Sequence, residues 1–314
     1  MTLAETLGPA RPGGAGTATV AVIGTGAIGR DLVAKIHRSP VLECGLVAGR
    51  NPDSAGLRYA AELGYPTTAD GIDGLLAAPR PFDVVFDATN AMSHAEHWRL
   101  LEPLGTLLVD LTPSKVGRMV VPTVTGTRPQ AGRNVNLISC GGQASIPVAH
   151  ALAERFAIEY LEVVSTVASE SAGRATRLNL DEYVATTQAA LTAFSGVRDT
   201  KAILNISPAV PPANFRTAVH AVAPGCTLEA VRAVVDEAAE RVRAHQPGYR
   251  VTACTVTGDR IVVALEVTAH SDVLPRYAGN LDIIDSAAIL VAEQYTAGLG
   301  ASATVPAVGS EAGR

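Results

Sequence analysis

The sequence predicts an α/β protein, in which a Rossmann-type parallel-sheet domain precedes an α+β domain. Three observations carry this reading. Short apolar runs alternate with helix-period segments through the first half, the signature of right-handed βαβ crossovers. A GxGxxG, Gly24-Thr25-Gly26-Ala27-Ile28-Gly29, follows the first apolar run and opens the first helix. Beyond Tyr160, strand-like runs dominate and neighbouring ones are able to pair antiparallel.

The elements follow in order. Thr19 to Gly24 reads as a buried strand, and Ala27 to Arg38 as a helix with Ile28, Leu32 and Ile36 on one face. Cys44 to Ala48 is a second strand and Ser54 to Leu63 a second helix. Asp83 to Asp87, Thr106 to Asp110 and Val135 to Ser139 are further strands, with a helix from Ser93 to Leu101 between the first two. A helix from about Ala144 to Phe156 follows, with Pro147 in its first turn, where a missing N–H is tolerated. Then come a strand Tyr160 to Ala168, a helix Leu180 to Phe194, and strands Ala202 to Ile206 and Arg216 to Ala223. An amphipathic helix Thr227 to His245 precedes a hairpin, Val251 to Thr257 and Arg260 to Thr268, turning at Gly258-Asp259. The last helix runs from Leu281 to about Tyr295 with Asn280 as its N-cap. Residues 1–18 and 299–314 read as disordered tails. Residues 19–139 with 279–298 read as the dinucleotide-binding domain, and 140–278 as the second domain.

Composition excludes several classes. The 314 residues are 47% hydrophobic and 18% charged, enough for a sizeable core. Lys+Arg total 25 against Asp+Glu 30, a net charge of -5, which disfavours a nucleic-acid binder working by phosphate neutralisation. No apolar run approaches the roughly 20 residues that span a bilayer, and no secretory signal is expected. Cys44, Cys140, Cys226 and Cys254 lack CxxC spacing and read as reduced thiols, so a soluble cytoplasmic protein is expected.

The glycine motif is where chemistry enters. Gly24 supplies the tight turn, Gly26 lets a pyrophosphate approach the backbone, and Gly29 permits close helix–sheet packing, with the anion held at the helix N-terminus. After the second strand, where an acid would bind an NAD ribose, the chain reads Gly49-Arg50-Asn51-Pro52-Asp53. Arg50 either meets a 2′-phosphate, as in NADP, or is a solvated loop residue, with Asn51 or Asp53 serving the ribose. Asp87-Ala88-Thr89-Asn90 ends a parallel strand, where Thr89 either contacts the nicotinamide half or the segment simply caps a helix. His94 and His97 have metal-pair spacing but no third ligand nearby, and read as part of a solvated helix face. Cys140-Gly141-Gly142 joins a strand to a helix. A thiol there feels the helix N-terminus, which favours thiolate, and the two glycine N–H groups stand unshielded to hold an oxyanion. No metal is expected.

The segments VAVIGTGAIG, FDATNA, VDLTPSKVG, NVNLISCGGQASIP, SAGRATRLNLDEY, PGYR and YAGNLDI together resemble the acylating acetaldehyde dehydrogenases of aromatic meta-cleavage pathways, from about Val20 to Ala297. The resemblance implies that residues 140–278 form a catalytic and dimerisation domain. It implies oxidation of a short aldehyde with NAD and coenzyme A to an acyl-CoA, a homodimer, and a pyruvate aldolase partner, with a role in aromatic hydrocarbon catabolism. It assigns Cys140 as the thioester-forming nucleophile and Thr25, Gly26, Ala27 and Ile28 as the dinucleotide loop. Ser171, Ala172, Gly173, Arg174, Ala175, Thr176, Arg177, Leu178 and Asn179 become a second cofactor segment, and Asn280 a further cofactor contact. Four departures stand out. Arg174 and Ala175 replace the family's Pro and Gly, Thr217 replaces an Asp near the nucleophile, Arg50 replaces an acid, and the hairpin at Gly258-Asp259 is shorter. Two other readings remain, a semialdehyde-dehydrogenase-like reductase using phosphate as acyl acceptor and a non-catalytic dinucleotide-binding subunit.

Overall fold

A computed structural model describes residues 16–126 and 132–303. Of the tails expected at 1–18 and 299–314, residues 1–15 and 304–314 lie outside the described residues, while Ala18 already opens the first strand. The first sheet contains β1 (Ala18–Ile23), β2 (Leu42–Ala48), β3 (Thr67–Thr68), β4 (Val84–Asp87), β5 (Leu107–Asp110), β6 (Arg118–Met119) and β7 (Asn134–Asn136). Its order is β3-β2-β1-β4-β5-β7-β6 and every pairing is parallel. The helices of this half are α1 (Ala27–Arg38), α2 (Ala55–Glu62), α3 (Ile72–Leu76), α4 (Ala91–Leu101) and α5 (Pro122–Thr125). Val20, Ala21 and Val22 are all fully buried, as a central parallel strand covered on both faces requires.

The second half contains α6 (Cys140–Arg155), β8 (Tyr160–Ala168), α7 (Arg174–Leu178), α8 (Leu180–Ser195), β9 (Asp199–Ser207), β10 (Phe215–Val222), α9 (Leu228–Arg243), β11 (Tyr249–Thr257), β12 (Arg260–Val267) and α10 (Gly279–Ala303). Its sheet has the order β11-β12-β10-β8-β9, antiparallel except for the β8–β9 pair. One face is closed: Leu161, Val163, Val219, Ile261, Val263 and Leu265 are buried in one core with residues of α6, α8 and α9. Side chains on the other face alternate with these and are mostly half-buried or exposed, Glu266 and Ala168 being buried. One cross-strand row there reads Ile203, Val164, Ala218, Ala264 and Ala253.

Helix α10 crosses back to the first half and packs on α1 and α6. Lys35 on α1 seats it, with Nζ 2.6 Å from Asp282 Oδ1 and 2.9 Å from Asp31 Oδ2.

Among the boundaries that differ from the sequence reading, three stand out. Helix α6 begins at Cys140 rather than Ala144, so Pro147 lies inside the helix rather than in its first turn. Helix α10 begins at Gly279, which makes Asn280 a helical residue rather than the N-cap; a Cβ at Gly279 would sit 2.0 Å from the Val267 carbonyl oxygen. The same helix continues to Ala303, past the glycine-containing stretch read as the start of a tail. Its earlier turns are anchored by buried Ala287, Ala288 and Ala292, and propagation from an anchored helix is cheap.

Candidate active site

Three neighbouring parallel strands end in the same way. Asp87, Asp110 and Asn136 stand in register at the ends of β4, β5 and β7. Each side chain accepts the N–H two residues on: Thr89 N–H donates to Asp87 Oδ1 at 3.1 Å, Thr112 N–H to Asp110 Oδ1 at 2.7 Å, and Ile138 N–H to Asn136 Oδ1 at 2.8 Å. These local bonds turn the chain off the sheet and set Thr89, Thr112 and Ile138 along one pocket, which Cys140 also lines. Ile138 takes φ 68, a region a β-branched residue enters only under constraint.

Ser139 caps α6 from extended backbone. Its Oγ accepts Gly142 N–H at 2.9 Å and is 2.7 Å from Thr187 Oγ1. Cys140 is thus the first residue of the helix. Tyr183, from α8, places its hydroxyl 3.8 Å from Cys140 Sγ and accepts Gly141 N–H at 3.1 Å. The expectation that both glycine N–H groups stand free is therefore corrected: the helix starts four residues early, and its first-turn donors are taken by Ser139 and Tyr183. The glycines are needed for space instead. A Cβ on Gly141 would lie 2.2 Å from the Tyr183 oxygen and 2.5 Å from Ser165 Oγ, and one on Gly142 2.8 Å from Ile138 Cγ2. Ser165 Oγ is 3.1 Å from Thr217 Oγ1, so the residue standing in for the family's Asp is buried in the same polar cluster.

Burial works against the thiolate that the helix N-terminus favours. Burial pushes the Cys140 thiol up to about 11, against the hydrogen bond from Tyr183 and the nearby backbone N–H groups. Burial holds Tyr183 well above its usual range too, so its hydroxyl stays protonated.

The two histidines overturn the solvated-face reading. His94 and His97 are buried, and both Nδ1 atoms lie 2.8 Å from Asp87 Oδ2. Burial penalises the Asp87 charge, but these two hydrogen bonds outweigh it and hold the carboxyl below the usual range. His94 is drawn upward by Asp87 and Asp110 despite its burial. Burial, with the Asp87 charge adding to it, pushes Asp110 up to about 6. Periodicity alone did not reveal this, because the partner acid comes from the strand beneath. No group of ligands suited to a metal ion occurs among the described residues.

The dinucleotide loop fits its proposed occupant. Gly24 has φ 112, and a Cβ there would lie 2.5 Å from the Ala88 carbonyl oxygen; one on Gly29 would lie 1.8 Å from the Gly24 carbonyl oxygen. A Cβ on Gly26 would meet nothing within 4 Å, leaving the α1 N-terminus open to an anion. Thr25, Ala27 and Ile28 surround that opening in sequence, and Ile28 reaches the pocket. Of the second segment, Thr176 and Asn179 line the pocket. Ser171 and Ala172 are buried behind it, and the Ser171 carbonyl accepts Asn280 Nδ2 at 3.4 Å. Arg177 spends its guanidinium on the Ala172 and Ser169 carbonyls, both at 3.0 Å. Gly173 and Leu178 are exposed, and Arg174 and Ala175 open α7. Asn280 Oδ1, buried and pocket-lining, has no hydrogen-bond partner among the described residues. Arg50 is exposed beyond β2 and pairs with no described residue. Asn90 caps α4 by accepting Met92 and Ser93 N–H, both at 3.1 Å, so in that segment the cap and the pocket wall coexist.

A parallel sheet with a glycine-loop nucleotide cradle, facing a cysteine at the start of a helix from the second half, defines a class of two-part dehydrogenase folds. Residues 140–275 match the family model described as prokaryotic acetaldehyde dehydrogenase, dimerisation. An acetaldehyde dehydrogenase of Streptomyces griseus is 70% identical over 95% of this chain and 96% of its own. One from Pectobacterium atrosepticum is 47% identical over 88% and 95%. In fold, the chain is similar to an aspartate semialdehyde dehydrogenase II from Vibrio cholerae, at TM-score 0.61 and 13% identity, covering 90% of this chain and 99% of that one. The chain belongs to the acetaldehyde dehydrogenase family.

Tyr183 is the main residue that sequence reasoning missed. It closes the SAGRATRLNLDEY segment, so a signal was present, but only the return of α8 to the start of α6 gives it a role.

Proposed function

We propose that the protein is a CoA-acylating aldehyde dehydrogenase acting on a short aldehyde, and the observation that carries this is Cys140 at the head of α6 in the pocket shared with Asn280 and Thr89. Cys140 Sγ adds to the aldehyde carbon, and the positive end of α6 with the Tyr183 hydroxyl stabilises the oxygen as charge builds on it. Bound NAD supplies the hydride acceptor and a cationic ring that favours the thiolate. The thioester left on Cys140 is cleaved by the thiol of coenzyme A, which carries away the acyl group. Gly24, Thr25, Gly26, Ala27, Ile28 and Gly29 hold the pyrophosphate, and Asn280, Thr89 and the 171–179 segment hold the nicotinamide half. Arg50, unpartnered at the ribose end, supports tolerance of NADP beside NAD.

Residues 19–139 with 279–298 act as the dinucleotide domain and 140–278 as the catalytic and dimerisation domain. The half-buried row Ile203, Val164, Ala218, Ala264 supports a homodimer that covers this sheet face. A cytoplasmic location and a pyruvate aldolase partner complete the reading. Among the described residues, no helix is long and apolar enough to cross a membrane.

The test follows NADH formation with acetaldehyde and either CoA or phosphate, in wild type and Cys140→Ser. CoA-dependent turnover, lost in the variant while NAD still binds, is the expected result. Turnover that needs phosphate instead would move the protein to the semialdehyde type, and no turnover with either would favour a non-catalytic subunit.

A further inference from the structure

We propose that Thr112 is a ligand-contacting residue whose hydroxyl donates to the carboxamide oxygen of the bound nicotinamide, opposite Asn280, which accepts from the carboxamide NH2. The assignment rests on the dinucleotide reading above and names a contact that the family resemblance did not supply.

The argument starts from the two threonines at matched strand ends. Thr89 and Thr112 occupy equivalent places after Asp87 and Asp110, and both line the pocket. Their hydroxyls differ. Thr89 Oγ1 donates to Asp87 Oδ1 at 2.5 Å and is spent. Thr112 Oγ1 has no hydrogen-bond partner among the described residues, although the residue is only 3% exposed. The acids beneath it do not take it up, because Asp110 accepts Thr112 N–H, Ser114 Oγ and Asn136 Nδ2 instead. A buried hydroxyl without a partner is a standing cost that a bound ligand removes.

The second observation is Asn280 Oδ1, the other pocket-lining side-chain polar atom that is buried and unpartnered among the described residues. Asn280 Nδ2 is already committed to the Ser171 carbonyl, so this side chain offers only an acceptor. An occupant that satisfies both atoms must bring an N–H or O–H for Asn280 and an acceptor for Thr112. A primary carboxamide carries both on one carbon. An aldehyde offers an acceptor alone and would leave Asn280 Oδ1 unpaired.

Position agrees. In a doubly wound sheet the pyrophosphate sits over the first βα turn, and the nicotinamide half lies beyond it across the strand ends. Here those ends run β1, β4, β5, β7. Thr112 follows β5, between the glycine loop and Cys140, which comes after β7.

The experiment measures Kd by calorimetry for NAD and for ADP-ribose, which lacks the nicotinamide, with wild type, Thr112→Val and Thr112→Ser. Valine keeps the shape and removes only the hydroxyl, and the side chain gives up no hydrogen bond within the protein, so Tm should hold. Expected is a roughly ten-fold weaker Kd for NAD in Thr112→Val, in the range for one neutral hydrogen bond, with ADP-ribose unchanged and serine restoring NAD binding. Equal NAD affinity in wild type and Thr112→Val overturns the assignment, as does an equal loss for ADP-ribose, which marks a structural effect. A raised KM for aldehyde with NAD affinity unchanged also overturns it, by giving the hydroxyl to the substrate. Failure of wild type to bind either ligand would remove the dinucleotide reading and this assignment with it.

Discussion

The Tyr183 hydroxyl stands 3.8 Å from Cys140 Sγ while accepting the N–H of Gly141 at 3.1 Å. One phenol thus ties the nucleophile to the first turn of the helix that carries it. Because Tyr183 stays protonated, its proton is available to the sulfur, and a donor to a thiolate stabilises the charged form.

Tyr183→Phe should therefore raise the Cys140 pKa further, above about 11. The rate of alkylation by iodoacetamide, followed against pH, should shift to higher pH, and kcat/KM should fall by about 10- to 100-fold. An unshifted alkylation profile would show that the phenol only fills space.

Gly141→Ala drives a methyl group into the Tyr183 oxygen and Ser165 Oγ. Neither side chain is a free end, since both belong to the buried cluster around Thr217. Overpacking of this kind costs about 1–3 kcal/mol. Urea denaturation should report that loss, and activity should fall far more than the fraction folded does.

Asp110 makes a pH prediction with a definite sign. Its folded pKa, about 6, lies above the 3.8 expected of a free Asp side chain. Between those values the native state binds more protons than the unfolded chain, so the contribution of Asp110 to stability falls as pH rises. The shift of roughly two units corresponds to about 3 kcal/mol. Asp110→Asn should be less stable overall, because an amide places a donor among three donors, but the difference from wild type should narrow between pH 4 and 6. A difference independent of pH would place the titration elsewhere.

Val164→Arg puts a charge in the middle of the open sheet row, between Ile203 and Ala218. Light scattering at micromolar concentration should give a dimer mass for wild type and a monomer mass for the variant. A dimer in both would move the interface off this face.

Arg50→Ala should lower the ratio of kcat/KM for NADP to that for NAD by roughly ten-fold, the lower end for a charge-assisted contact. An unchanged ratio would leave Arg50 as a solvated residue.

Much of the protein was legible in the chain. Short continuous apolar runs and helical periodicity located β1, β2, β4, β5 and their helices, because strands buried on both faces are largely apolar throughout. The glycine loop was legible because only glycine fits where a carbonyl oxygen would lie 1.8 Å from a Cβ, as at Gly29. Cys140 stood out because glycines, not packing groups, follow it.

What the sequence by itself determined was therefore the local and the periodic: the parallel sheet, the nucleotide cradle, and a cysteine at a strand–helix junction. Tertiary structure alone decided the partners. His94 and His97 read as a polar helix face until Asp87 arrives beneath them from β4. The N–H groups of Gly141 and Gly142 read as free until Tyr183 and the Ser139 cap take them. Thr112, which the sequence did not single out, stands two residues past its strand-end acid as Thr89 does, and the fold alone gives one hydroxyl a partner and withholds it from the other. The physical reason is common to all three. Hydrogen bonding and burial are set by residues that meet in space, 42 positions apart for Gly141 and Tyr183 and 7 for His94 and Asp87, and a pattern read along one element does not show the partner that stands on the next.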